Sequence, residues 1–405
     1  MVAALVTLLL AGGSALPGTI TIVRQLALTV DDHAFALLPW QIQAVTAKAE
    51  AFFAQPADQW SPAAGAEQVR AYVARAEEIR TLERQLEEQR AIAPADPADM
   101  SDAEQALRDL YAQQYAVRST VEQILEQQVS SILIDAGLDL RETVLPPVQF
   151  TFVQTPKKLI VSPRARIETV YGQMIDAEIS CTDIERIETT IRQEQQLSAY
   201  ITGIGGLGAY PTMVVDNASL AWILSTIAHE WVHNYLTFFP LGFTYGSSDE
   251  NIIINETIAE IVGNEVGAQV LARFYPELVP PSAEESMATP VAQPPAFDFA
   301  TEMRETRLAV DKLLALGQVA EAEAYMELRR LHFVENGYPL RKLNQAYFAF
   351  HGSYGTGAAS TSPIGPKLEA LRAQTPDLLS FLQTVRHFAS AADIDAALAQ
   401  QSADD

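Results

Sequence analysis

The sequence has one cysteine, Cys181, so neither an internal disulfide nor a thiolate metal cluster can form. Cys181 itself reads as a small apolar residue near a helix start. Basic residues are scarce, with 27 Lys and Arg against 51 Asp and Glu and a formal net charge of −24. A surface of that sign repels phosphate backbones, which removes nucleic acid from the expected partners. Histidine is scarcer still: His33, His229, His233, His332, His351 and His387 are all there are in 405 residues. Any metal site must therefore be built from a few imidazoles and carboxylates.

Residues 1–23 carry no charged side chain, and Val2 to Leu10 is almost continuously apolar. Such a segment is long enough for a membrane anchor or a signal peptide, with Gly13 and Ala15 as small residues at a cleavage position. Gly12, Gly13, Pro17 and Gly18 interrupt it, and no basic region precedes it, so a buried helix is the competing reading. The expectation is an anchored or exported, extracytoplasmic protein, with membrane association through residues 1–30.

What the chain does have is ample apolar material, 48% of its residues, enough for a large core. The segment 31–144 reads as helical. Its Glu/Arg/Gln/Ala-rich stretch over 67–90 is broken at 93–97, and a second long helix starts with a Ser101/Glu104 capping pattern and stops at Gly137. From 145 the pattern changes to short alternating runs at 147–153, 158–162, 167–171, 199–201 and 209–215, with a helix at 183–196. These predict one small mixed sheet. The glycines Gly203, Gly205, Gly206 and Gly208 lack the G-K-[ST] of a phosphate loop and read as a turn or rim. Two apolar helices follow: one capped by Asn217 or Ser219 and ending near Pro240, the other over 255–275. Residues 276–298 are proline-rich and read as a linker or loop, and 299–405 as a helical subdomain with breaks at its glycines and prolines.

The chemistry is concentrated in the two apolar helices. His229-Glu230-Trp231-Val232-His233 puts two imidazoles one helical turn apart on one face, with Glu230 offset to stand beside a shared ion. Asn255-Glu256-Thr257-Ile258-Ala259-Glu260 puts two carboxylates on one face of the next helix, where Glu256 can supply a third ligand. Glu260, a turn further on, can orient a ligating histidine through its outer nitrogen. Buried polar groups of this kind need partners, and a cation provides one.

H-E-x-x-H followed by N-E-x-x-x-E resembles the thermolysin-type zinc peptidases, the gluzincins, over about residues 145–350. The resemblance implies an α+β fold with a zincin-like metallopeptidase core, a small mixed sheet plus an active-site helix, between mostly helical N- and C-terminal parts. It implies Zn2+ held by His229, His233 and Glu256, Glu230 as general base, and Glu260 behind the ligands. Ala209-Tyr210-Pro211-Thr212-Met213 then takes the place of the family's substrate-binding edge strand. No G-A-M-E-N exopeptidase signature is present, and the long N-terminal helices have no counterpart in the family.

Three protein ligands leave zinc an open position for a water whose proton Glu230 can take, and the expected activity is hydrolysis of a peptide or protein substrate. A donor to the oxyanion is also needed. Asn344, Tyr347, His351 and Tyr354 share a helical stripe, and Tyr347 or His351 is the expected donor. The competing reading is a non-catalytic zinc-binding protein, or a helical scaffold or interaction protein, with a vestigial site.

Overall fold

The structure, a computed structural model, describes residues 17–54, 60–92, 97–280 and 297–404. It opens with helices α1 (Pro17–Val30) and α2 (Leu37–Ala54), followed by a pair of long helices, α3 (Pro62–Ile92) and α4 (Pro97–Asp135). Helix α4 starts four residues before the expected Ser101, with Pro97 at its first position, where the missing N–H costs no hydrogen bond. Ser101 is thus inside the helix and not its cap. The far end is as expected: Gly137 takes a φ of 76°. Its N–H bonds Ile134 and that of Leu138 bonds Leu133, closing the last carbonyls.

The strands are β1 (Phe150–Phe152), β2 (Lys157–Pro163), β3 (Tyr171–Ile175), β4 (Leu197–Gly203), β5 (Gly206–Leu207) and β6 (Thr212–Val214), with α5 (Cys181–Glu194) between β3 and β4. They form two three-stranded sheets and not the single sheet expected. The order β3-β2-β4 is antiparallel throughout. In β1-β6-β5 the pair β1/β6 is parallel and β5/β6 antiparallel. The third strand lies at 171–175, beyond the expected 167–171. Thr169 instead turns its N–H to Asp249, and the ladder begins with Tyr171 opposite Val161. The exposed edge of β1 is covered by α4: Glu126 accepts from the Phe150 N–H and Glu122 from the Phe152 N–H.

Helix α6 (Leu220–Leu236) is capped by Ser219, and after a short helix α7 (Pro240–Phe243) comes α8 (Asp249–Phe274). Helix α8 starts two turns before the expected Asn255. Ser248 accepts from the Asn251 N–H, and Asp249 and Glu250 place negative charge in the first turn. The C-terminal part is α9 (Phe299–Ala315), α10 (Val319–Glu335), α11 (Gln345–His351), α12 (Ile364–Gln374), α13 (Leu378–Val385) and α14 (Ala391–Asp404). The chain is α+β, with helix dominant.

The largest core joins α3, α4, α6, α8 and α12–α14 around β1 and β6. A second core packs α1 and α5 on the β3-β2-β4 sheet, and a third gathers α9–α11. Residues 17–30, expected to belong to a hydrophobic leader, thus reach the folded body, with Leu26 and Val30 buried in the second core. Residues 1–16 and most of the expected proline-rich linker lie outside the described residues. No helix among the described residues is long and apolar enough to cross a membrane.

Candidate metal centre

Helices α6 and α8 run against each other at unusually short range, and two glycines make this possible. A Cβ on Gly263 would lie 2.8 Å from the Ser225 carbonyl oxygen and 2.9 Å from the His229 Cβ. A Cβ on Gly267 would lie 2.5 Å from the Ser225 hydroxyl oxygen. Both distances are below carbon van der Waals contact, so only glycine allows this approach. The result is that the His229/His233 face of α6 meets the Asn255/Glu256 turn of α8.

His229 Nε2 and His233 Nε2 stand 3.1 Å apart, and Glu256 Oε2 is 3.4 Å from the first and 3.6 Å from the second. Four ligands at the ~2.0–2.1 Å bond lengths usual for zinc are spaced about 3.3–3.4 Å along the edges of a tetrahedron. The three atoms therefore form a triangle of the right size, and His229, His233 and Glu256 could hold a metal ion. Two imidazoles and a carboxylate are also a suitable donor set for such an ion.

Two of the three residues are oriented from behind. Asn255 Oδ1 lies 2.8 Å from His233 Nδ1, while its Nδ2 donates to the Leu241 carbonyl. The amide oxygen can only accept, so Nδ1 carries a hydrogen, and Nε2 is the ring atom turned to the cluster. Tyr245 donates to Glu256 Oε1 at 2.7 Å, leaving Oε2 to face the imidazoles. The cluster favours positive charge. Burial lowers the His233 pKa, but Glu256, Glu230 and the Asn255 hydrogen bond outweigh it and raise it to about 9. Glu256 is held well below its ordinary value, because the two imidazoles outweigh the effect of burial.

Glu230 is buried beside this triangle, where burial raises its pKa and the two histidines partly offset the rise. Strand β5 passes directly over it. A Cβ on Gly206 would come 2.5 Å from Glu230 Oε1, and one on Gly208 would come 3.3 Å from Oε2. The glycine run read as a rim therefore brings bare backbone against Glu230. The edge of this sheet at the site is β5, and the expected edge residues Thr212 and Met213 sit in its central strand.

Glu260 accepts from the Thr356 hydroxyl. It contributes charge near His229, but among the described residues no hydrogen bond joins it to either imidazole. It also lines a cavity of about 430 Å³ with Asn264, Thr356, Glu369 and Arg372, which does not include the three ligand residues. Tyr347 is buried in the third core, its ring 4.2 Å from that of His351 and 5.4 Å from that of Tyr200. Burial lowers the His351 pKa to about 4. The aromatic residue of this stripe that reaches the cluster is Tyr354, with its ring 6.3 Å from that of His229. The Gly355 N–H donates to Thr257 on α8, which fixes the neighbouring backbone. The carboxylate of Glu256, then burial, raise the Tyr354 pKa well above its ordinary value and keep its hydroxyl protonated.

Asn255, Tyr245 and the Gly263/Gly267 pair were not singled out for the site from the sequence. Asn255 and the i, i+4 glycines were visible in it, whereas Tyr245 comes from a loop with no motif. No protein family, no curated protein and no solved structure matches this chain.

Proposed function

We propose that the chain is a zinc-dependent peptidase with a zincin-like core, in which His229, His233 and Glu256 hold the metal and Glu230 is the general base. The observation that carries this reading is Glu230 itself: a buried carboxylate beside the ligand triangle but not part of it. A purely structural metal site has no use for such a group, and a closed structural site would need a fourth protein ligand.

Bound zinc would supply Lewis acidity at neutral pH. The protein's own groups do the rest. Glu230, its pKa raised by burial, takes a proton from the attacking water at a carboxylate oxygen and passes it to the leaving amine nitrogen. β5 offers an extended edge against which a peptide backbone can lie, next to Glu230. Tyr354, protonated and with its ring 6.3 Å from that of His229, would donate a hydrogen bond to the developing oxyanion. Tyr245 and Asn255 keep Glu256 and His233 in their ligating orientations.

The test is turnover of an unstructured protein such as casein by the purified full chain, before and after chelation and on re-addition of zinc. Cleavage that chelation abolishes and stoichiometric zinc restores is the expected outcome. Zinc bound without cleavage of casein or of a mixed peptide library would mean a binding protein instead.

Tyr354 and Tyr347 are separable in the same assay. Tyr354→Phe should lower kcat about 10²–10³-fold, the usual loss for one oxyanion donor, with zinc content unchanged. Tyr347→Phe should leave kcat within a few-fold. The reverse ranking would return the donor role to the α11 stripe.

A further inference from the structure

Helix α2 carries an apolar stripe on its outward side. Its inward stripe contains Gln41 and Lys48, and its outward stripe is Leu38, Ile42, Val45 and Ala49, at helical spacings of four, three and four. Gln41 is only 3% exposed and donates to the Tyr210 carbonyl. Lys48 is drawn down between Glu122 and Glu126, at 2.8 and 2.7 Å. Facing out, Leu38 is 53%, Ile42 62% and Val45 42% exposed. A surface helix ordinarily does the opposite and turns its apolar stripe to the core. The polar groups that fasten α2 to the body thus leave its apolar side without a partner among the described residues.

Helix α1, earlier in the chain, also exposes two apolar side chains: Leu26 and Val30 are buried, while Ile22 and Leu28 are exposed on different sides of the helix. The ionisable residues of the two helices are Arg24, Lys48 and Glu50, and Lys48 is taken up in the ion cluster. In a chain of net charge −24, the Leu38/Ile42/Val45/Ala49 stripe itself carries no charge, and the nearest acids in the chain are Glu50 and, in the turn before α2, Asp31 and Asp32.

We infer that the outer face of α2 docks on the surface of an electrically neutral lipid bilayer, with the helix lying in the plane of the interface. Two observations select lipid over a protein partner. The chain has no charged residue from position 1 to 23 and is apolar over Val2–Leu10, so further lipid-compatible sequence lies close to α2 along the chain. The face also has almost no charge with which to specify a protein partner's register, whereas a neutral interface requires none. Exposed apolar patches of this kind mark interaction surfaces. Neither helix needs to cross the bilayer, consistent with the absence of a membrane-spanning helix among the described residues.

The opposite, inward side of α2 faces the chain next to the candidate metal centre. Gln41 holds the Tyr210 carbonyl, and Asn234, next to His233, holds the preceding carbonyl, that of Ala209. This inference stands on the helix alone and does not depend on the reaction.

The experiment is co-sedimentation of the purified full chain with phosphatidylcholine vesicles, beside a Leu38→Glu/Ile42→Glu/Val45→Glu variant and an Ile42→Asn single variant. Thermal melting serves as the folding control. The parent should bind, and its binding should change little between low and high salt, because the attraction is apolar. The triple variant should bind at least tenfold less with its melting unchanged, and Ile42→Asn should fall in between. Equal binding by parent and triple variant would overturn the inference, as would no binding by the parent. It would also be overturned by sedimentation velocity showing a parent dimer in the absence of lipid that the triple variant abolishes, since the face would then belong to a second copy.

Discussion

On the proposed reading, Glu230→Gln should bind zinc as the parent does and lose turnover by about 10²–10⁴-fold, the range a positioned general base contributes. Glutamine has the same shape and cannot take the proton. The carboxylate is not one of the three ligand atoms, so metal content should not change. The strand glycine Gly206 packs against this side chain, and the amide preserves that contact. Glu256→Ala is the contrasting variant. It removes one of the three proposed ligands and leaves two half-buried imidazoles without their carboxylate, so zinc should be lost together with activity. Elemental analysis and casein turnover on both proteins separate the two roles. If Glu230→Gln lost zinc as completely as Glu256→Ala, Glu230 would be part of the metal-holding set and the proposed division of labour would be wrong. If it kept full activity, the base would have to be another group.

The contents of this site were legible in the sequence to the extent that helical periodicity determines them. His229, Glu230 and His233 are local: their spacing alone puts the two imidazoles on one face. Glu256 was legible for the same reason, as part of a second carboxylate pair on an apolar helix. What brings the two helices together is not periodic in polarity. Gly263 and Gly267 count as weak helix formers when read locally, and their value appears only when α6 lies 2.5–2.9 Å from where a Cβ would be. The same limit applies to the aromatic wall. Tyr347, His351 and Tyr354 share a stripe in the sequence, but α11 ends at His351 and the following turn carries Tyr354 to the cluster while Tyr347 stays in the third core. Position along a helix was readable, and direction after the helix end was not. The division of the strands into two sheets was unreadable for a related reason. Strand pairing is a long-range choice, and runs of three to seven residues carry no signal of which neighbour each will take.

Gly263→Ala turns the close helix approach into a test of sign. Replacing a mid-helix glycine by alanine ordinarily stabilises a protein, since glycine costs roughly 0.5–1 kcal/mol relative to alanine there. Here the added methyl would meet the Ser225 carbonyl oxygen at 2.8 Å and the His229 Cβ at 2.9 Å. Overpacking of a tight core costs about 1–3 kcal/mol, which exceeds the propensity gain. Net destabilisation is expected, larger for Gly263→Val, which adds two more carbons at the same point. The backbone cannot yield locally, because Gly267 holds the same pair of helices one turn away. The strain must then shift α6 against α8 and move His229 relative to Glu256, whose atoms are now 3.4 Å apart. Zinc affinity should therefore fall in the same order, parent above Ala above Val, while far-ultraviolet circular dichroism at low temperature stays that of the parent. Guanidinium melts of the chelated proteins measure the first effect, and competition with a chromogenic chelator measures the second. A stabilised Gly263→Ala protein with unchanged zinc affinity would show that the helices have room to spare, and the two glycines would then lose their part in assembling the metal centre.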